Sequence, residues 1–147
     1  MKTMHVAVAQ IHSGGGVRDV LKRMTRQIRI AAIAGVDVIL FSECVLQGYD
    51  YDLTRRQLEQ IAVTAGSRPC GRLKKLAVEY GMTIIAGFFE RERGAFYNSC
   101  LIVHPDGSRQ VQRKHALTAG EKRAGLTPGP REREIIDING IKCAVLI

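Results

Sequence analysis

The sequence has no apolar run of membrane-spanning length, no CxxC pair and few aromatic residues, and each shortage excludes something. A transmembrane helix needs about 20 consecutive apolar residues, so no membrane partner is expected. The four cysteines, Cys44, Cys70, Cys100 and Cys143, stand singly. That spacing argues against a zinc site and against a disulfide framework, and a reducing cytoplasm is the simplest setting. The opening MKTMHVAVAQI moves straight into an alternating pattern. It shows no apolar h-region followed by a small-residue cleavage site, so no signal peptide is read there. Aromatic residues make up 5% of the chain. The net charge of +8, from 22 Lys and Arg against 14 Asp and Glu, therefore lacks the interleaved aromatics of single-strand binders. A basic nucleic-acid-binding domain is the weaker reading, and no nucleic-acid partner is expected.

What is present is the makeup of one packed domain: 147 residues, 46% hydrophobic and 24% charged. The hydrophobic period switches repeatedly between two and about 3.6. His5 to Ile11 alternates as a strand. Val17 to Ala34 is helical, with Val17, Val20, Leu21, Met24 and Ile28 on one face and Gly35 closing it. Val36 to Phe41 is a buried strand, followed by a loop to Asp52. Leu53 to Ala65 reads as a second helix, and a third runs to Tyr80. Strands follow at Met82 to Phe89, Phe96 to Val103 and Arg109 to Lys114. His115 to Glu132 reads as an ordered loop. Glu134 to Ile138 and Ile141 to Ile147 pair across Asn139-Gly140, a strong hairpin signal. Helices alternating with strands, then hairpins, predict an α/β layered domain with a mixed sheet and no internal linker. The last strand is still apolar at Ile147, which predicts that the domain continues beyond it.

Three side chains carry candidate chemistry. Glu43 follows the strand VDVILF, and ligand crevices of open α/β sheets lie outside the carboxyl ends of strands. A carboxylate withdrawn from bulk water there suits proton transfer near neutral pH. Lys114 ends the strand RQVQRK, where an ammonium can stabilise a developing oxyanion. Glu121, seven residues on, can hold the lysine by hydrogen bonding. Taken one at a time, a loop glutamate, a solvated lysine beside Arg113 and an exposed acid beside Lys122 are the commoner outcomes.

Three segments occurring together and in order carry a resemblance. IAGVDVILFSECVLQGYDY, GSRQVQRKHALTAGEKRAGLTPG and NGIKCAVLI resemble, respectively, the glutamate loop, the lysine segment and the strand leading to the nucleophile of the nitrilase superfamily of carbon–nitrogen hydrolases. The opening MHVAVAQI is similar to the first strand of that family. Ser42 stands where the family usually has proline, and Gln112 where a tyrosine is common. The resemblance implies an α-β-β-α sandwich with a mixed sheet and helices on one face, incomplete over these 147 residues. It implies a single carbon–nitrogen hydrolase domain over 1–147, its C-terminal part missing. It implies a catalytic triad of Glu43, Lys114 and a cysteine, with Glu121 supporting the lysine; Tyr49 and Tyr51, in the loop after Glu43, either line a substrate pocket or cover the core, and the Gly-Tyr match assigns Tyr49 to the pocket. The nucleophile is expected directly after Ile147.

The activity so implied is hydrolysis of an amide or N-carbamoyl amine, less readily a nitrile, through a thioester. It needs neither a metal nor an organic cofactor. The partners implied are a small-molecule substrate and further copies of the chain, as a homodimer or higher homo-oligomer. These residues alone are expected to be inactive and to expose an apolar face. The rival reading is a nitrilase-fold binding or regulatory module without turnover.

Cys143, mid-strand, is expected to pack as a small apolar group rather than to attack. Cys44 is expected to point away from Glu43, because neighbours at a strand end diverge. Arg18, Lys22, Arg26 and Arg29 are read as a solvated helix face. His5, His12, His104 and His115 are dispersed, and none is assigned to a metal.

Overall fold

A computed structural model describes residues 2–50 and 52–147. Tyr51 lies outside the described residues. A five-stranded sheet is built from β1 (Val6–Ala9), β2 (Val38–Phe41), β3 (Thr83–Glu92), β4 (Ala95–Val103) and β5 (Arg109–Arg113), in that spatial order. The first three strands run parallel, and β4 and β5 return antiparallel. Parallel neighbours require a crossover, and the helices α1 (Val17–Ile33) and α3 (Arg68–Tyr80) supply them. The short α2 (Arg55–Ile61) precedes α3 in the second crossover, and α4 (Ala119–Arg123) follows β5. This is the mixed α/β architecture predicted.

Alternation along the strands sorts the core into two faces. Ile84, Ala86 and Phe88 of β3 pack with Leu101 and Val103 of β4 against Val20, Met24 and Ile28 of α1 and Leu73 and Leu76 of α3. Both long helices therefore cover one face. The opposite face, with Val38, Ile85, Cys100 and Ile102, meets a two-stranded hairpin, β6 (Ile135–Ile138) and β7 (Ile141–Ala144). Asn139 and Gly140 both take positive φ, 54° and 75°, as a two-residue primed turn demands. On the β1 edge Val8 remains 82% exposed.

Several boundaries differ from the sequence reading, each for a physical reason. The helix expected over Leu53 to Ala65 stops at Ile61, because Ala62 turns extended. Val63 then bridges the free edge of β3 beside Glu90. The strand expected over Ile141 to Ile147 ends at Ala144, where its partner β6 runs out. Val145 and Ile147 pack onto the second core face without strand pairing. The segment His115 to Glu132 is not all loop, since α4 forms inside it.

Candidate active site

Glu43 and Lys114 stand 71 positions apart in the chain, and Lys114 Nζ donates to Glu43 Oε1 at 2.8 Å. The same Nζ donates to Glu121 Oε1 at 3.1 Å. Each group is fixed from a different element. Glu43 opens the turn after β2, in which Gly48 N–H bonds Cys44 O at 2.8 Å and Leu46 N–H reaches Gly87 O of β3. The turn lies directly on β3, and only glycine at position 87 permits this. A Cβ there would stand 2.3 Å from Cys44 N and 2.7 Å from Ser42 O. Gln47 braces the turn, its Oε1 accepting from Phe89 N–H at 3.1 Å. Lys114 follows β5, and its N–H continues the ladder to Asn98 O at 2.8 Å. Glu121 is the third residue of α4. Its N–H bonds Thr118 Oγ1, and its Oε2 accepts from Thr118 N–H at 2.8 Å. That reciprocal pair is a capping box, and Thr-x-x-Glu was its available sequence signal.

Asn98, which the sequence reading did not single out, sits at the centre. It is fully buried, and its Nδ2 donates to Glu43 Oε1 at 2.5 Å and to Glu121 Oε1 at 2.7 Å. Its Oδ1 accepts from the Cys44 thiol at 3.4 Å. Cys44 and Glu43 bond opposite ends of the Asn98 amide. Cys44 occupies a turn with φ of 49°, not a strand end, and Asn98 links the two side chains.

The electrostatics follow from the packing. Burial works against the Lys114 ammonium, but hydrogen bonds and charge from Glu43 and Glu121 more than offset it, and its pKa is raised. Burial also pushes the Glu121 carboxyl up, yet the donors Asn98, Thr118 and Lys114 prevail and hold it below the usual range. The side chains of Lys114 and Glu121 are 10% and 5% exposed, whereas that of Glu43 is 38% exposed. Glu43 is thus the most exposed member of the trio. It is also more open to water than the sequence reading anticipated, because it lines a cavity of about 260 Å³ together with Asn98, Val145, Leu146 and Ile147.

Three of the four thiols are buried. Burial pushes Cys44 well up, with the charges of Glu43 and Glu121 adding to it, and pushes Cys100 up to about 12. Burial also raises Cys70. Cys143 is half-buried on β7 and packs onto the second core face. Tyr49 is half-buried beside Leu58, Phe89 and Phe96, and it shares a hydrogen bond with the Thr118 side chain. His115 bonds Gly129 O at 2.8 Å. Arg18 and Lys22 border a separate hollow of about 830 Å³ between α1 and α3, remote from these groups. Among the described residues, no three His, Cys, Asp or Glu side chains gather as a metal-ligand set, and no helix is long and apolar enough to cross a membrane.

Helices thus cover one face of the sheet, and two carboxylates surround one ammonium beside the ends of β2 and β5. The carbon-nitrogen hydrolase family model matches residues 5–147, and the chain belongs to that family. It is 28% identical over 146 residues to an (R)-stereoselective amidase of Pseudomonas sp., covering 98% of this chain and 51% of that protein. It is 30% identical over 152 residues to a citrullinase of Francisella tularensis, covering 99% of this chain and 52% of that protein. The crystal structure of an amidase from Nesterenkonia sp. shares the fold, with a TM-score of 0.76 at 16% identity over 97% of this chain and 54% of the other. The chain spans about half the length of the curated relatives it matches.

Proposed function

We propose that the full-length protein hydrolyses a non-peptide carbon–nitrogen bond, with Glu43 as general base, Lys114 as oxyanion donor and Glu121 as the support of Lys114. The carrying observation is the Lys114 ammonium held between two carboxylates at 2.8 and 3.1 Å, beside the cavity that Glu43 shares with Val145 to Ile147. The nucleophile in this reading is a cysteine following Ile147, which would enter next to that cavity. The burial of Cys44, Cys70 and Cys100, and the packing of Cys143 onto the second core face, favour a nucleophile other than these four thiols.

In this mechanism Glu43 takes the thiol proton and the thiolate attacks the carbonyl carbon. The oxyanion forms beside Lys114, which stays an ammonium and stabilises it without giving up its proton. The carbon–nitrogen bond breaks, and the amine leaves with the proton from Glu43. Water, deprotonated by Glu43, then adds to the thioester and releases the acid and the thiol. An amide or N-carbamoyl amine is the substrate class that the amidase and citrullinase relatives fit. Tyr49, beside Thr118 and close enough to feel the charges of Glu121, Lys114 and Glu43, contributes to the pocket wall.

Ammonia release from a panel of amides, N-carbamoyl amines and nitriles tests this in the full-length protein. Turnover of an amide or carbamoyl substrate is expected, lost in Glu43→Gln and Lys114→Ala. Full activity in both variants would remove the assigned roles.

A further inference from the structure

We propose that Asn98 is the positioning residue of this site, holding Glu43 and Glu121 as a pair so that Lys114 keeps one N–H for the substrate. The inference rests on the hydrolase reading above. It follows from counting protons. The Asn98 amide carries two N–H groups, and both are used, at 2.5 Å to Glu43 Oε1 and 2.7 Å to Glu121 Oε1. Lys114 Nζ approaches the same two oxygens at 2.8 and 3.1 Å. Four groups therefore close a ring in which two nitrogens donate and two oxygens accept. An ammonium has three N–H groups. Two close the ring and the third remains.

The direction of the amide is dictated by its neighbours. Turned over, Oδ1 would face two carboxylate oxygens with no proton between them. In the direction observed, Oδ1 accepts from the Cys44 thiol at 3.4 Å. Cys44 is fully buried, and its raised pKa keeps the proton on sulfur, so the thiol serves as donor. Asn98 also carries Lys114 through the backbone, its carbonyl accepting from Lys114 N–H at 2.8 Å. One buried residue thus touches all three members of the trio. Without it, Lys114 Nζ is the one donor that the Glu43 and Glu121 Oε1 atoms still have in common, and nothing else ties the two carboxylates to each other.

The test uses the full-length protein with Asn98→Ala and Asn98→Asp, beside Glu43→Gln and Lys114→Ala. Misplacement by about 1 Å costs on the order of 100-fold in rate. Asn98→Ala is expected to lose that much in kcat with KM little changed, and Asn98→Asp to lose more, because a third carboxyl enters the ring. A packing role predicts the reverse order, since aspartate is isosteric and alanine leaves a hole. Carbon-13 NMR titration of the Glu121 carboxyl gives a second readout, expected to move to higher pH in Asn98→Ala. An unchanged titration, or Asn98→Ala falling below Asn98→Asp in kcat, overturns the proposal. If the wild type has no turnover, or Glu43→Gln and Lys114→Ala keep theirs, the hydrolase reading fails by itself. The Glu121 titration then still decides the Asn98 assignment.

Discussion

Gly87→Ala probes the contact on which the placement of Glu43 depends. The added methyl would meet Cys44 N at 2.3 Å, Ser42 O at 2.7 Å and the Glu43 carbonyl carbon at 2.8 Å. All three are backbone atoms, so no side chain can swing away. Overpacking of a filled site costs about 1–3 kcal/mol, and backbone neighbours place this change near 3 kcal/mol. At ~2–4 °C per kcal/mol, the midpoint of thermal unfolding should fall by roughly 6–12 °C. The relief available to the protein is to lift the 43–47 turn off β3, which carries Glu43 away from Lys114. A displacement of about 1 Å corresponds to a loss on the order of 100-fold in kcat. Gly71→Ala is the matched control. Gly71 lies inside α3, where a Cβ meets nothing within 4 Å, so alanine should stabilise by ~0.5–1 kcal/mol through helix propensity. Differential scanning calorimetry and steady-state kinetics on the full-length variants measure both effects. A Gly87→Ala protein with wild-type midpoint and kcat would refute the close approach of turn and strand.

Three further outcomes follow from the same geometry. The Glu121 carboxyl sits below its ordinary 4.5, so its contribution to stability is complete above that value and drains away as pH falls through the folded one. Urea unfolding between about pH 5 and 3 should therefore show a steeper loss in wild type than in Glu121→Gln, and equal slopes would contradict the assignment. Thr118→Ala removes the side-chain half of the α4 capping box and should cost about 1 kcal/mol, with the Glu121 titration broadened or raised; an unaltered stability and titration would show that the cap does not hold Glu121. Glu90 is buried, accepts two hydrogen bonds from Arg113 at 2.7 and 2.9 Å and one from Ser99, and lies behind the strand end that bears Lys114. Glu90→Gln strands the guanidinium and should cost on the order of 3 kcal/mol in chemical denaturation, and a loss below about 1 kcal/mol would show the pair to be dispensable.

Local chemistry was enough for much of the fold. The 3.6-residue period over Val17 to Ile33, the apolar run through Phe41 and the Asn139-Gly140 turn each encode their element within a few residues, and each forms close to where it was read. Boundaries failed where a distant neighbour competed: Val63 left its helix to bridge β3, and β7 ended where β6 did. The T-x-x-E box at Thr118 is legible in the sequence, although Gly, Pro and charge around it mask the short helix it starts.

The sequence by itself also supplied Glu43, Lys114 and Glu121 as an ordered set, because strand ends and family-like segments are local patterns. Their convergence on one ammonium is a property of the tertiary structure alone. Strand order places residues 71 positions apart within 2.8 Å, and no short window of sequence contains that distance. The same holds for Asn98, whose neighbours along the chain mark it as an interior strand position and nothing more. Its role exists only because β4 lies between the ends of β2 and β5 in space, where a buried amide must find partners and finds two carboxylates.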